Sequence, residues 1–152
     1  METNKTLDRQ NLVARQSLHI KAPVENVWHT ITTPEMIKQY LYGTEAVTDW
    51  KIGSPILFRG EWNGNHYEDK GIILDLQAPQ LLRHTYWSSV GGKEDVPENY
   101  NTVTYLLTPE NNGTLITIMQ DGIDNDDSLL RMNENWTVVL RKLKEVVEMK
   151  NE

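Results

Sequence analysis

One amphipathic stripe near the C-terminus constrains this chain more than any other feature. From about Asp126 to Lys150, the residues Leu129, Met132, Trp136, Val139, Leu140, Leu143, Val146 and Val147 recur at steps of three and four. That is the period of a helix buried on one side. Such a helix is about 37 Å long. By contrast, residues 44–121 read almost entirely as strands. One long helix therefore has a whole sheet to cover, and a sheet wrapped around a helix can leave a pocket between them.

Residues 12–21 alternate (Leu12, Ala14, Gln16, Leu18, Ile20) and predict a first strand, which Ala22-Pro23 stops. Pro23 at the first helical position, with Glu25 in the first turn, starts a short helix through Val27, Trp28 and Ile31. Thr33 as cap, Pro34 at N1 and Glu35 repeat that grammar for a second helix through Met36, Ile37 and Tyr40. Strand-like segments follow at 44–49, 56–62, 66–76, 81–87, 102–108 and 114–121. They are separated by turn signals at 51–55, Asn63-Gly64, Ala78-Pro79, the polar loop 91–99 and residues 109–113. Gly71 inside a strand marks a bulge or a close approach. The order is β-αα-β6-α, an α+β chain with a curved, mostly antiparallel sheet around a long C-terminal helix. Residues 1–10 read as a flexible polar N-terminus and 11–152 as a single domain.

Several function classes are disfavoured by composition. A net charge of -7 without a basic stripe argues against nucleic acid and anionic membranes as partners. No apolar run approaches the ~20 residues that membrane insertion needs. The polar start lacks the apolar core of a secretory signal, so a cytoplasmic location is expected. Cysteine is absent, which removes disulfides and thiolate chemistry. His19, His29, His66 and His84 are scattered without metal-ligand spacing, and no phosphate loop, dinucleotide fingerprint or nucleophile elbow occurs. No metal and no cofactor is expected. Asp121, Asp124, Asp126 and Asp127 lack the Gly and closing Glu of a calcium loop. They read instead as carboxylates that cap the long helix and match its dipole. Glu61 and Glu68 are expected to face each other on the solvent side of the hairpin, offset by Arg59.

Six Tyr and five Trp stand against one Phe. These side chains combine an apolar body with a polar tip and suit pocket walls. Local motifs give the order a family likeness. Ala22-Pro23-Val24-Glu25-Asn26-Val27-Trp28 resembles an "APVEKVW" opening, and Thr32-Thr33-Pro34-Glu35-Met36-Ile37 a "TDPEMI" segment. Lys51-Ile52-Gly53-Ser54-Pro55-Ile56, Asp69-Lys70-Gly71-Ile72-Ile73 and Gly113-Thr114-Leu115-Ile116-Thr117-Ile118 resemble "xxGxPI", "xKGxIL" and "GTxLTL" strands. Asn135-Trp136 with Leu140 and Leu143 stands where "GWxxxLxxLK" is usual. Together these resemble the START-like, or SRPBCC, helix-grip superfamily. The branch is similar to the C-terminal domain of the activator of heat-shock protein 90 ATPase. Thr33 replaces the usual Asp and still offers a capping hydroxyl. Asn135 replaces Gly and is expected to narrow the space beside Trp136.

The resemblance implies a pocket between sheet and final helix. Phe58 and Trp62 share a strand face, Met132 and Trp136 lie in the first half of the helix, and Val103, Tyr105 and Leu107 alternate on another strand. By the match to "GTxLTL", Thr114, Ile116, Ile118 and Gln120 would face inward. His84 could face the pocket beside Tyr86, although a structural or surface role is the simpler expectation. Phe58, Trp62, Tyr86, Tyr105, Gln120, Met132 and Trp136 are thus the candidate ligand-binding residues, for a small apolar or aromatic molecule. A completely filled interior is the alternative. A chaperone-ATPase modulator in the stress response is a second function. The separate N-terminal domain of the eukaryotic co-chaperone has no counterpart in these residues, which counts against it. A cyclase- or hydrolase-like enzyme is a third, and needs His84, Tyr86, Tyr105 or Gln120 to converge. A non-catalytic binding domain leads.

Overall fold

The computed structural model describes residues 11–150, so the N-terminal stretch expected to be flexible lies outside the described residues. The elements are β1 (Leu12–Ile20), α1 (Val24–Ile31), α2 (Pro34–Tyr40), β2 (Glu45–Val47), β3 (Pro55–Trp62), β4 (Asn65–Gln77), β5 (Leu81–Tyr86), β6 (Asn101–Glu110), β7 (Gly113–Ile123) and α3 (Asp126–Lys150). This is the expected order. The seven strands form one antiparallel sheet, arranged β1-β7-β6-β5-β4-β3-β2. α1 and α2 carry the chain from one sheet edge to the other, and the remaining strands return as a meander. No helix among the described residues is long and apolar enough to cross a membrane.

The sheet bends at β4. The first part of this strand pairs with β3 as far as Pro55↔Ile72, and its last part pairs with β5 from Ile73↔His84 onward. Gly71 sits at the changeover. A Cβ there would lie 1.7 Å from the Thr85 carbonyl oxygen, so only glycine lets the two strands approach. The Ile72 amide donates to the Thr85 hydroxyl at 2.8 Å rather than to the ladder. The register then shifts between Ile73 and Asp75, as it does at bulges that bend a strand. The close approach read at Gly71 is therefore present, with the bulge a little further along.

α3 seats its stripe on one side of this curve. Its nearest backbone neighbours are β1, then α2, α1 and β7. Trp136, Val139, Leu140, Leu143, Val146 and Val147 are buried, whereas Leu129 and Met132 are half-buried. The core they join includes Ile20, Val27, Ile73, Ile116 and Ile118. Thr114 donates its hydroxyl to the Ala22 carbonyl at 2.8 Å and ties β7 to the start of α1.

Local details differ from expectation, each for a physical reason. Pro23 is the extended cap residue rather than the first helical one, and its carbonyl accepts from Asn26 and Val27. Thr33 occupies the cap position of α2, but its hydroxyl lies 3.3 Å from His29 Nδ1 and makes no capping bond. The aspartates do not cap α3: Asn125 Oδ1 accepts from the Ser128 amide at 2.8 Å. Asp126 and Asp127 remain in the first turn, where the dipole favours them. Asp121 is in β7 and accepts from the Thr102 amide at 2.6 Å, and Asp124 pairs with Lys93 at 2.6 Å. Glu61 stands opposite His66, while Glu68 pairs directly with Arg59 at 2.8 Å. Pro109 belongs to β6 opposite Thr114, because the two-residue turn Asn111-Asn112, both at positive φ, needs no longer loop.

Gly71→Ala should cost on the order of 2–3 kcal/mol, because Thr85 backbone must move to admit the methyl. Urea unfolding measures it, and a loss below about 0.5 kcal/mol would contradict the role given to this glycine.

Candidate functional site

A cavity of about 650 Å³ opens between the curved sheet and the first half of α3. Alternation on each strand places its walls. β3 contributes Phe58 and Trp62, β4 contributes Asn65, Tyr67 and Asp69, and β5 contributes His84 and Tyr86. Val103 and Tyr105 come from β6, Gln120 from β7, and Met132, Asn135 and Trp136 from successive turns of α3. All seven residues expected from sequence to contact a ligand therefore share one cavity. Leu107, Thr114, Ile116 and Ile118 are buried but do not line it.

The wall is an unbroken run of rings. Tyr86 and Phe58 have centroids 5.9 Å apart, Phe58 and His84 5.5 Å, His84 and Tyr105 6.1 Å, and Tyr105 and Trp136 6.3 Å. Contacts of this kind favour offset or edge-on rings and fix ring orientation. Trp136 is locked further because its Nε1–H donates to Gln120 Oε1 at 2.9 Å, a buried bond between α3 and β7. Four of the six tyrosines line the cavity (Tyr42, Tyr67, Tyr86 and Tyr105) but only two of the five tryptophans do, so Tyr rather than Trp marks the site.

One carboxylate belongs to the wall. Asp69 is buried, and Oδ2 accepts from the Tyr86 hydroxyl at 2.5 Å while Oδ1 accepts from the Ser89 amide at 2.9 Å and hydroxyl at 3.2 Å. Sequence reasoning missed it. The available signal was its position on β4, in phase with buried Ile73, where a polar residue is out of place on an apolar face. Burial first, and the bond to Asp69 second, push the Tyr86 phenol pKa far above its ordinary value. Burial alone does the same to Tyr105. Both phenols stay protonated.

His84 is a cavity residue rather than a surface one. It is 3% exposed, and its Nδ1 lies 2.7 Å from the Thr85 carbonyl oxygen. A carbonyl only accepts, so Nδ1 carries the hydrogen and Nε2 is the acceptor. Burial lowers its pKa to about 4, against the smaller opposing effect of the Thr85 bond.

Tyr42 and Trp62 form the rim, each more than half exposed and packed edge-on with centroids 6.2 Å apart. The Tyr42 hydroxyl donates to Asn135 Oδ1 at 3.1 Å, so the residue standing in place of Gly ties the α2–β2 loop to α3 as well as lining the cavity. Ser88 and Val90 also line the cavity and start a loop that is held by contacts of its own. Lys70 pairs with Asp95 at 2.6 Å and lies over the Trp87 ring at 5.7 Å. Trp87 stacks on Tyr100 at 6.4 Å, and the Tyr100 hydroxyl donates to Asp95 at 2.6 Å.

The lowered His84 pKa makes a stability prediction. Between about pH 6.5 and pH 4 the unfolded chain binds a proton that the folded chain does not, so folding stability falls as pH drops through that window. From pH 7 to pH 5 the loss assigned to this group is about 2 kcal/mol. Urea unfolding of the wild type and of His84→Gln at both pH values isolates it. An equal pH dependence in the two proteins would show that His84 is not buried in its neutral form.

Comparison with known proteins places this geometry in a family. The profile described as activator of Hsp90 ATPase homolog 1-like protein matches residues 21–148. No curated protein matches the chain significantly. Among solved structures, the solution structure of ChR145 from Cytophaga hutchinsonii is 40% identical with a TM-score of 0.80, over 91% of this chain and 95% of that one. CalU16 from Micromonospora echinospora is 21% identical with a TM-score of 0.67, over 93% of this chain and 88% of that one. The Aha1 dimer from Colwellia psychrerythraea is 18% identical with a TM-score of 0.71, over 90% of this chain and 96% of that one. These last two show the shared fold alone. By the matched profile and the Cytophaga relative, the chain belongs to the family of activator of Hsp90 ATPase homolog 1-like proteins, with a START-like helix-grip fold.

Proposed function

We propose that this chain is a non-catalytic binding domain for a small apolar or aromatic molecule, held between the sheet and the first half of α3. The observation that carries this reading is the cavity of about 650 Å³ with its continuous wall of rings. Its size falls within the ~300–1,000 Å³ of small-molecule sites, and a mostly apolar lining with a few polar groups is their usual make-up. Phe58, Trp62, Tyr86, Tyr105, Gln120, Met132 and Trp136 are the proposed contacts, with His84 added.

The convergence that an enzyme requires is present, since His84, Tyr86, Tyr105 and Gln120 share the cavity wall. Their proton chemistry supports binding over acid–base catalysis. His84 gains a proton only near pH 4, and the two phenols hold theirs. A general acid or base works best with a pKa near the operating pH. Family membership is compatible with a chaperone interaction as well, and the cavity favours the ligand.

A chemical-shift screen with neutral aromatic and apolar compounds should move the indole signals of Trp136 and Trp62. Val103→Phe, which places a ring on the cavity floor, should weaken any such ligand at least about tenfold, or ~1.4 kcal/mol. Absence of perturbation by every compound class, or full affinity in Val103→Phe, would remove this function.

A further inference from the structure

Three buried side chains form a row across adjacent strands on the cavity floor. His84 of β5 is directly opposite Val103 of β6, and Val103 is directly opposite Gln120 of β7. Two strand spacings separate His84 from Gln120, roughly 10 Å between their Cα atoms. Both are at least nine-tenths buried, and both line the cavity.

Each presents one atom without a protein partner. His84 Nδ1–H is used by the Thr85 carbonyl, which leaves Nε2 as a bare acceptor. Gln120 Oε1 is used by Trp136, which leaves the Nε2 amide hydrogens as donors. Among the described residues, every fully occluded side-chain nitrogen or oxygen has a hydrogen-bond partner. These two free atoms therefore keep open surface, and the cavity is where the two side chains meet it. The floor thus carries an acceptor at one end, apolar Val103 in the middle and a donor at the other end. A ligand that covers these atoms without completing their hydrogen bonds leaves them buried and unpaired, so an occupant that completes both is preferred.

The wall also selects on charge. Among the described residues no lysine or arginine lines the cavity, and the one carboxylate that does, Asp69, already holds Tyr86 and Ser89. An anion would enter without a counter-charge to offset the loss of its hydration.

We propose that the occupant is an uncharged molecule with an apolar middle, one end giving a hydroxyl or N–H hydrogen to His84 Nε2 and the other accepting from Gln120 Nε2. This rests on the binding function above and adds a direction and a charge to it. The neutral tautomer of His84 sets the polarity: the hydrogen-giving end of the ligand lies at β5 and the accepting end at β7.

Three naphthalenes of matched shape test it: 6-acetyl-2-naphthol, 2-acetyl-6-methoxynaphthalene and 6-hydroxy-2-naphthoate. Affinity is read by fluorescence titration, and site occupancy by the Trp136 indole signal. The naphthol is expected to bind about 5- to 10-fold more tightly than the methoxy compound, one neutral hydrogen bond's difference. The naphthoate is expected to bind at least about 100-fold more weakly than the naphthol. His84→Leu should bring the naphthol and methoxy affinities together. Should that variant fold poorly, the two ratios in the wild-type protein decide the matter alone. Equal binding of naphthol and methoxy compound, or tight binding of the naphthoate, overturns this proposal while leaving the cavity a binding site. Failure of all three to move Trp136 overturns this proposal, and a blank chemical-shift screen with every compound class beside it overturns the binding function as well.

Discussion

A straight helix cannot lie against every strand of a sheet that curves around it, and the rest of this structure follows from that mismatch. The curve originates where β4 changes partner at Gly71, with the Thr85 carbonyl in the place of a side chain. α3 settles against β1 and the two short helices. Opposite β3 to β6 its first half is left facing a gap. Side chains too small to fill that gap, and too constrained by one another to collapse into it, leave a cavity. The C-terminal half of α3 closes the core, and the N-terminal half forms one wall of the site.

Polar groups in such a space are costly unless they are paired, and most of those in this cavity are. Asp69 anchors Tyr86 and the start of the following loop, and Gln120 anchors Trp136. These bonds cross between elements and hold the rings in fixed orientations, which reduces the ordering cost of receiving a ligand. Two of the atoms left over, on His84 and Gln120, are separated from each other by Val103. On that row an unpaired donor and an unpaired acceptor specify what a partner should bring. The same burial keeps His84 neutral and the tyrosines protonated, so none of the three has a pKa near neutrality.

Much of the site was legible because it lies on regular elements. Phe58 and Trp62 follow from the alternation of β3, and Met132 and Trp136 from the helix stripe. Asp69 could have been read in phase with Ile73 but sits among charged neighbours that disguise it. Tyr42, Ser88 and Val90 could not be read, since loops have no period from which to infer direction. The caps were misread for a related reason. Thr33 and the aspartates before α3 are suitable cap residues, yet His29 lies beside Thr33, and Thr102 and Lys93 engage Asp121 and Asp124. For Thr33 the competing group is one helical turn away, whereas for Asp121 and Asp124 it is 19 and 31 residues away in the chain.

By itself the sequence determined the order of elements, the antiparallel meander, the buried stripe of α3 and the inward face of the regularly alternating strands β3, β6 and β7. Those depend on periodicity and turn chemistry, which are local. The tertiary structure decided that the interior is open rather than filled, that His84 is a neutral acceptor, and that it shares a row with Val103 and Gln120. Volume left unfilled is a small difference between large packed quantities, and a tautomer depends on one bond to one carbonyl. Neither is carried by any single segment, because both arise only when the register of seven strands and the seating of one helix are fixed together.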